Sequence, residues 1–190
     1  MDYTPIYVKY NGELRPLISE FEGREEQFEE PILKSMAYLV DELSLCVQAE
    51  NSDAKKNHFD IAMQNLDEAV VYSYMYLVYS HDRRLKKFER QFSKHQMQLF
   101  DNGKFVGKFT DNSERAKDCC ERASKKVNIL DAKEDLKQAY HLYSDIEQEI
   151  SDFESEGASM EPRGRGILGT VAKAVLSVVV SVVVAYCFSL

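Results

Sequence analysis

The sequence predicts an all-α protein, in which a helical bundle is followed by a single membrane-spanning helix. Between residues 31 and 153, apolar residues recur at intervals of three and four, which is typical of amphipathic helices. The segment 167–190, ILGTVAKAVLSVVVSVVVAYCFSL, contains one charged residue, Lys173. As a helix this segment would be about 36 Å long, which is enough to cross a hydrocarbon core of roughly 30 Å.

These patterns divide the chain into three regions. We expect a cytosolic helical-bundle domain over residues 1–153, an acidic, glycine-containing linker with a basic flank over 154–166, and a transmembrane helix over 167–190. A buried core helix or strand is the alternative for the last segment, because its valines are strong β-formers in water. The membrane interpretation is favoured because one strand cannot satisfy its backbone in a bilayer, and because the segment has no polar face beyond its serines.

A minor β-hairpin is predicted at the N-terminus, over residues 3–18. Apolar and polar residues alternate there, and Asn11-Gly12 is a favoured two-residue turn. Pro5 and Pro16 would restrict the two strands to edge positions.

Three helical stretches are predicted after the hairpin. The first covers residues 31–49, and residues 51–53 form a break and an N-cap for the next helix. The second covers residues 54–100 and ends at the turn Asp101-Asn-Gly103. The third covers residues 113–153.

Two places leave alternatives within this helical prediction. Residues 70–79 are apolar all round, which favours a central helix of a bundle, but the alternation of Tyr72, Tyr74 and Tyr76 also fits a strand. Residues 130–132 could hold a turn or a shift of phase within the last helix.

Composition and charge argue against several classes of protein. A formal net charge of −8 disfavours nucleic-acid binding by the whole surface, and no DNA partner is expected. The four cysteines do not suggest a disulfide framework, because Cys119 and Cys120 are adjacent and Cys187 lies in the apolar segment. The four histidines lack zinc-ligand spacing, and no phosphate-binding glycine loop is present, so we expect no metal and no cofactor.

Charge also predicts the orientation of the membrane segment. Arg163, Arg165 and Lys173 lie on its N-terminal side, and no charged residue follows them. By the positive-inside rule residues 1–166 stay in the cytoplasm, which predicts a single-pass protein with a C-terminal anchor.

Small and hydroxyl-bearing residues share one face of the predicted membrane helix, at spacings of three and four. Such faces let membrane helices pack closely, so we expect a homo-oligomer in the bilayer. In a ring of subunits these residues could line a narrow aqueous path with a lysine at its mouth, whereas a plain anchor is the alternative. The residues of this face are Thr170, Lys173, Ala174, Ser177, Ser181 and Ala185.

A basic run covers residues 83–94 in an otherwise acidic protein. It could meet RNA, anionic lipid head groups, or the acidic segment 145–161 of the same chain or of a neighbouring subunit. A solvated helix face is an equally open interpretation. Besides Arg90, the patch consists of Arg83, Arg84, Lys86, Lys87 and Lys94.

Arg90 lies within this run, His95 directly follows it, and four residues separate the two. This R-x4-H spacing resembles that of the HEPN fold, a helical bundle whose dimers often cleave RNA. The resemblance implies that His95 would move a proton at the 2′-hydroxyl or the leaving group. Arg90 would stabilise the charge of the transition state without a metal. A solvated pair on a basic helix face is the alternative.

Taken as a whole, the chain resembles the small HEPN-like membrane proteins encoded beside type VI-B CRISPR effectors. That resemblance implies oligomeric assemblies that strengthen anti-phage defence by permeabilising the inner membrane, with the RNA-guided effector or its RNA as a partner. Two other functions stay open: a metal-independent ribonuclease tethered to the membrane, and a tail-anchored scaffold that binds a protein partner.

Overall fold

The computed structural model describes residues 1–24, 28–92 and 94–157, and in these ranges the chain is helical and contains no β-strand. This confirms the predicted helical bundle. A π-helical turn, Tyr10–Leu14, joins the first two helices, and two 3₁₀ turns, Phe100–Gly103 and Ile129–Ala132, flank the sixth. The α-helices are α1 Thr4–Lys9, α2 Arg15–Gly23, α3 Glu30–Gln48, α4 Ser52–Gln91, α5 Lys94–Leu99, α6 Lys104–Ser124 and α7 Lys133–Gly157.

The predicted N-terminal hairpin is wrong, because residues 4–23 form α1, the π turn and α2. Pro5 and Pro16 occupy the first turns of α1 and α2, and at Pro5 the missing N–H has no helical partner to lose. Asn11 and Gly12 form no hairpin turn, and the Asn11 side chain donates instead to the backbone carbonyl one turn earlier, at 2.9 Å. Burial of one apolar face outweighed the turn preference of Asn11-Gly12. The buried residues of this face recur at helical spacing and are Ile6, Leu14, Leu17 and Phe21.

Helices α3 and α4 form an antiparallel hairpin that matches the predicted helix 31–49 and the start of the next one. Asn51 is the N-cap of α4, and its Oδ1 accepts a hydrogen bond from the Ala54 backbone N–H at 2.6 Å. The predicted break and cap are therefore confirmed. An ion pair between His58 Nδ1 and Glu42 Oε2, at 2.7 Å, joins the two helices.

The predicted helix 54–100 is two helices. Residues 70–79 lie in the middle of α4, as the helical interpretation required. The helix ends at Gln91 and the chain resumes as α5 at Lys94. Asn102 and Gly103 have φ angles of 53° and 83°, so the turn predicted at this point is confirmed.

The predicted helix 113–153 is also two helices, α6 and α7. The 3₁₀ turn between them falls at the phase shift seen in the sequence, whereas α6 begins earlier than expected, at Lys104. Ion pairs Lys108–Glu149 and Arg122–Asp135, both at 2.8 Å, connect the two helices in antiparallel order. Helix α7 continues into the predicted linker and ends at Gly157.

Helices α4 and α7 run in the same direction, side by side. Their contacts recur every seven residues on both helices, or about two turns. The N-terminal helices follow the same direction, since Lys9 of α1 joins the first of these contacts and Glu20 of α2 joins the last. The three contacts are Lys133 Nζ to Asp67 Oδ1 at 3.4 Å, the Tyr74 and Tyr140 rings with centroids 5.4 Å apart, and His81 Nδ1 to Glu147 Oε1 at 2.9 Å.

The chain separates into two units, Met1–Glu149 and a second that begins at Ile150. The features analysed below lie in the first unit. Among residues 1–24, 28–92 and 94–157, no helix combines the length and the apolar character needed to cross a bilayer. The predicted transmembrane helix 167–190 and most of the predicted linker lie outside these ranges.

Candidate functional site

Four charged side chains from three helices converge at the last of the repeated contacts. Glu20 lies on α2 and Arg24 is the C-cap residue directly after it, whereas His81 comes from α4 and Glu147 from α7. His81 is 1 % exposed, because it continues the buried stripe of α4 that includes Tyr74, Leu77, Val78, Leu85 and Phe88. We refer to Glu20, Arg24, His81 and Glu147 as the charge cluster.

Arg24 holds both carboxylates of the charge cluster. Its Nη1 and Nη2 donate to the two oxygens of Glu147 at 3.1 and 2.8 Å, which is a bidentate pair. Its Nε and Nη2 donate to Glu20 Oε1 at 3.0 and 2.8 Å. The guanidinium thereby connects α2 to α7 directly.

The imidazole of His81 lies between the same two carboxylates. Nδ1 is 2.9 Å from Glu147 Oε1, and Nε2 is 3.4 Å from Glu20 Oε1. Each ring nitrogen faces a carboxylate oxygen, which favours the doubly protonated ring and outweighs the nearby Arg24 Nη2, 3.2 Å from Nδ1 and 3.4 Å from Nε2. In that state two negative and two positive charges balance one another within the protein interior.

Two tyrosines and a further arginine enclose the charge cluster. The Tyr140 hydroxyl donates to Glu20 Oε2, and its ring meets the His81 ring edge to face at 5.6 Å. The Tyr143 ring stacks on His81 with an interplanar angle of 6° and centroids 6.4 Å apart. Arg84 Nη1 approaches Glu147 Oε2 at 3.4 Å from the exposed side.

Burial and hydrogen bonding act in opposite directions on the pKa values of these groups. Burial raises the pKa of Glu147, but hydrogen bonds from His81 and Arg24 outweigh it and lower the pKa to about 2. For Glu20 the same opposition, with hydrogen bonds from His81, Tyr140 and Arg24, also gives a pKa of about 2. Burial lowers the pKa of His81, and the hydrogen bonds to Glu147 and Glu20 raise it above its ordinary value.

This arrangement suits a structural function better than catalysis. The His81 side chain has no solvent-exposed edge that a substrate could reach, and its ring nitrogens are both engaged. The charge cluster fixes the C-terminal end of α2 against inner turns of α4 and α7. Removing one member would leave its partner charged and unpaired in the interior, which is strongly destabilising.

A second charge network lies at the first of the repeated contacts. Lys133 Nζ, on α7, is 2.6 Å from Glu13 Oε2 and 3.4 Å from Asp67 Oδ1, and Lys9 Nζ is 2.5 Å from the same Asp67 oxygen. Burial lowers the pKa of Lys133, but its acidic partners outweigh this and raise it. The N-terminal segment is therefore fixed to α4 and α7 at both ends.

Arg90 and His95, the predicted catalytic pair, lie on different helices. Arg90 is in the last turn of α4 and His95 is in α5, beyond the break at Phe92, and both side chains are exposed. Neither forms a hydrogen bond or an ion pair with another described residue. The pair stays a prediction.

The basic patch is exposed and partly paired. Arg84 contacts Glu147, a member of the acidic segment 145–161, and Lys86 pairs with Asp82 at 2.5 Å. Arg83 and Lys87 are exposed on the same part of α4, whereas the Lys94 side chain lies outside the described set. Part of the patch is thus complemented within the chain.

The remaining sequence candidates are located as follows. All six residues of the predicted membrane face, from Thr170 to Ala185, lie outside the described ranges. In the described part of the chain, no three His, Cys, Asp or Glu side chains cluster in a way that could hold a metal ion.

Sequence reasoning did not find the charge cluster. His81 could have been singled out, because it falls on the apolar stripe of α4, where a charged or titratable residue needs a partner. Its partners could not have been chosen, since acidic residues are numerous and nothing local marks Glu20 or Glu147. Comparison of the chain with protein-family models, curated proteins and solved structures gave no match.

Proposed function

We propose that this protein is a membrane-tethered helical bundle that assembles into homo-oligomers and permeabilises the bilayer. The observation that carries the proposal is the apolar segment 167–190, which holds a single charge and places small residues at spacings of three and four. The helical fold of the preceding domain, with its interior charges paired, supports a rigid body attached to that segment rather than a domain built around a catalytic cleft.

The proposed pore follows from the residue types of the membrane segment. Small residues allow helices to approach closely, and serine or threonine hydroxyls can hydrogen-bond between helices or face water. Lys173 would form a ring of positive charge at the cytoplasmic mouth, where its long side chain reaches the interface. The resemblance stated above supports a role in anti-phage defence beside an RNA-guided effector.

Dye release from liposomes tests the proposal on the full chain. We expect the wild-type protein to release an encapsulated dye and Ser177→Leu/Ser181→Leu to abolish release, because two leucines would fill the small-residue face. Val179→Leu/Val183→Leu is the matched control and should retain release, since these positions would lie on the opposite side of the proposed helix. Absence of release by a correctly inserted wild-type chain, or equal release by both double variants, would refute the pore.

A ribonuclease is the second candidate, favoured by the exposure of both Arg90 and His95 beside a basic helix surface. It predicts RNA cleavage in the presence of a chelator, abolished by Arg90→Ala and by His95→Ala. Cleavage that survives both substitutions would exclude this pair as the catalytic residues. A scaffold that only binds a partner predicts neither dye release nor cleavage.

A further inference from the structure

Helix α3 is apolar on two faces, and the bundle uses one of them. The face toward the bundle consists of Ile32, Ser35, Leu39 and Cys46, all buried. A second, exposed stripe lies along the helix at spacings of four, three, four and three. In it Leu33 is 51 %, Val40 64 % and Val47 68 % exposed, and the complete stripe is Leu33, Ala37, Val40, Ser44 and Val47.

Apolar residues spaced alternately by four and three are typical of the surface along which two paired helices contact each other. Its members stay within a narrow band of the helix surface, since two such steps make seven residues, or nearly two turns. A monomer gains nothing from an exposed apolar stripe of this regularity, whereas a second helix could bury it.

The residues beside the stripe differ on its two sides. On one side Lys34 and Asp41, which have opposite charges, are exposed and seven residues apart. On the other side Met36 and Leu43 are half-buried and also seven residues apart. When a second copy of the helix lies antiparallel to the first, Lys34 and Asp41 face the partner's Asp41 and Lys34. On the other side, Met36 and Leu43 face the partner's Leu43 and Met36.

We propose that α3 binds α3 of a second copy, antiparallel, about a twofold axis. The register that stacks Ala37 on the partner's Val40 also stacks Leu33 on the partner's Ser44. In this register Lys34 lies within about 3 Å, measured along the helix axis, of the partner's Asp41. The twofold axis generates both ion pairs at once.

Charge excludes the neighbouring register. A shift that stacks Ala37 on the partner's Val47 would bring the two copies of Asp41 together at the axis and move Lys34 away from Asp41, to the level of the partner's Glu50 beyond the end of the helix. Like charges at such positions are unfavourable, as they are in other helix pairs. Lys34 and Asp41 therefore indicate both that the partner is a second copy of α3 and which register it adopts.

The exposed stripe of α3 is small for a protein interface. From Leu33 to Val47 the stripe is about 21 Å long, which is short for a standard interface of about 800 Å² per partner. Attachment of both copies to one membrane raises their effective concentration, so a modest interface suffices. In this respect the inference rests on the proposed function.

Disulfide trapping in the full-length chain, purified in detergent, tests the register. Ala37→Cys/Val40→Cys is expected to form a covalent dimer under mild oxidation, because those positions face each other across the axis. Ala37→Cys/Val47→Cys is the matched control and should yield no more dimer than Ala37→Cys alone. A control that cross-links as well as the test pair would overturn the register.

Charge exchange tests the ion pairs in the Ala37→Cys/Val40→Cys background. Lys34→Asp and Asp41→Lys should each reduce the dimer yield severalfold, and the double exchange should restore it. Val40→Glu in the chain without added cysteines should lower the particle mass, whereas Val127→Glu, at a fully exposed position outside α3, should leave it unchanged. Yields that do not respond to either single exchange would overturn the proposal.

Trapping and dye release separate this inference from the proposed function. A covalent α3 dimer without dye release by the untrapped wild-type chain would refute the pore and support the interface. Dye release without any trapped dimer would support the pore and refute the interface.

Discussion

Glu147→Gln should reduce the free energy of unfolding by about 3 kcal/mol. The substitution preserves the size of the side chain and removes its charge, so it isolates the electrostatic part of the interaction. In the wild-type protein Glu147 accepts hydrogen bonds from Arg24 and His81 and is 13 % exposed. The amide would leave both cations facing a single carboxylate, that of Glu20.

This loss of unfolding free energy follows both from the pKa of Glu147 and from the behaviour of other buried ion pairs. A pKa of about 2, against an ordinary value of 4.5, means that the surroundings favour the charged form of Glu147 by about 3 kcal/mol. Removal of one partner from a buried ion pair typically destabilises a protein by about 3–5 kcal/mol. For a domain of this size the loss corresponds to a fall in Tm of roughly 10 °C.

The assay is thermal or urea unfolding of the full chain in detergent, followed by helical circular dichroism at pH 6. Glu149→Gln is the control, because Glu149 lies on the same helix and pairs with Lys108, whose side chain is 62 % exposed. Such a surface pair contributes about 0–1 kcal/mol. If the two variants lose the same stability, the charge cluster does not fix the bundle and the reasoning is refuted.

Three further predictions concern other parts of the bundle. The pKa of His81 is raised in the folded protein, so its contribution is complete below the unfolded pKa near 6.5 and is lost as the pH rises through the higher folded value. Unfolding free energy should therefore fall between pH 6 and pH 8, and His81→Gln should be less stable at pH 6 and show a smaller fall; an unchanged slope in urea titrations would contradict this. Asn51→Ala should lose about 1 kcal/mol through the N-cap of α4, measured as a lower urea midpoint, whereas Asn51→Asp should retain most of the stability. Lys133→Met should lose about 2 kcal/mol because Glu13 loses its cation and Asp67 keeps only Lys9, while Lys125→Met, at a surface pair with Glu121, should differ little from wild type; equal losses in calorimetry would argue against the second network.

The helical class and several of the helix boundaries could be predicted from the sequence, since they depend on local signals. Apolar spacing over residues 31–49 gave α3, and the side chain of Asn51 gave the start of α4. Asn102 and Gly103 ended the following segment because few residues adopt positive φ easily. Residues 130–132 marked a change of phase that the structure shows as a 3₁₀ turn.

The N-terminus shows where local signals fail. Asn11-Gly12 has a strong preference for a hairpin turn, and alternation around it fitted two strands. The same apolar residues also fit a helical face, and burial of Leu14, Leu17 and Phe21 in the core decided between them. Tertiary packing routinely outweighs a turn preference worth a fraction of that burial.

By itself, the sequence determined what depends on neighbours along the chain: the helical character from residue 31 onward, the N-cap of α4 and the prediction of a membrane segment. Only the tertiary structure brought Glu20, Arg24, His81 and Glu147 together, because the partners of a buried charge are chosen by the packing of helices distant in sequence. The parallel alignment of α4 and α7 has the same origin. Its contacts at Asp67, Tyr74 and His81 repeat every two turns only once the helices lie side by side.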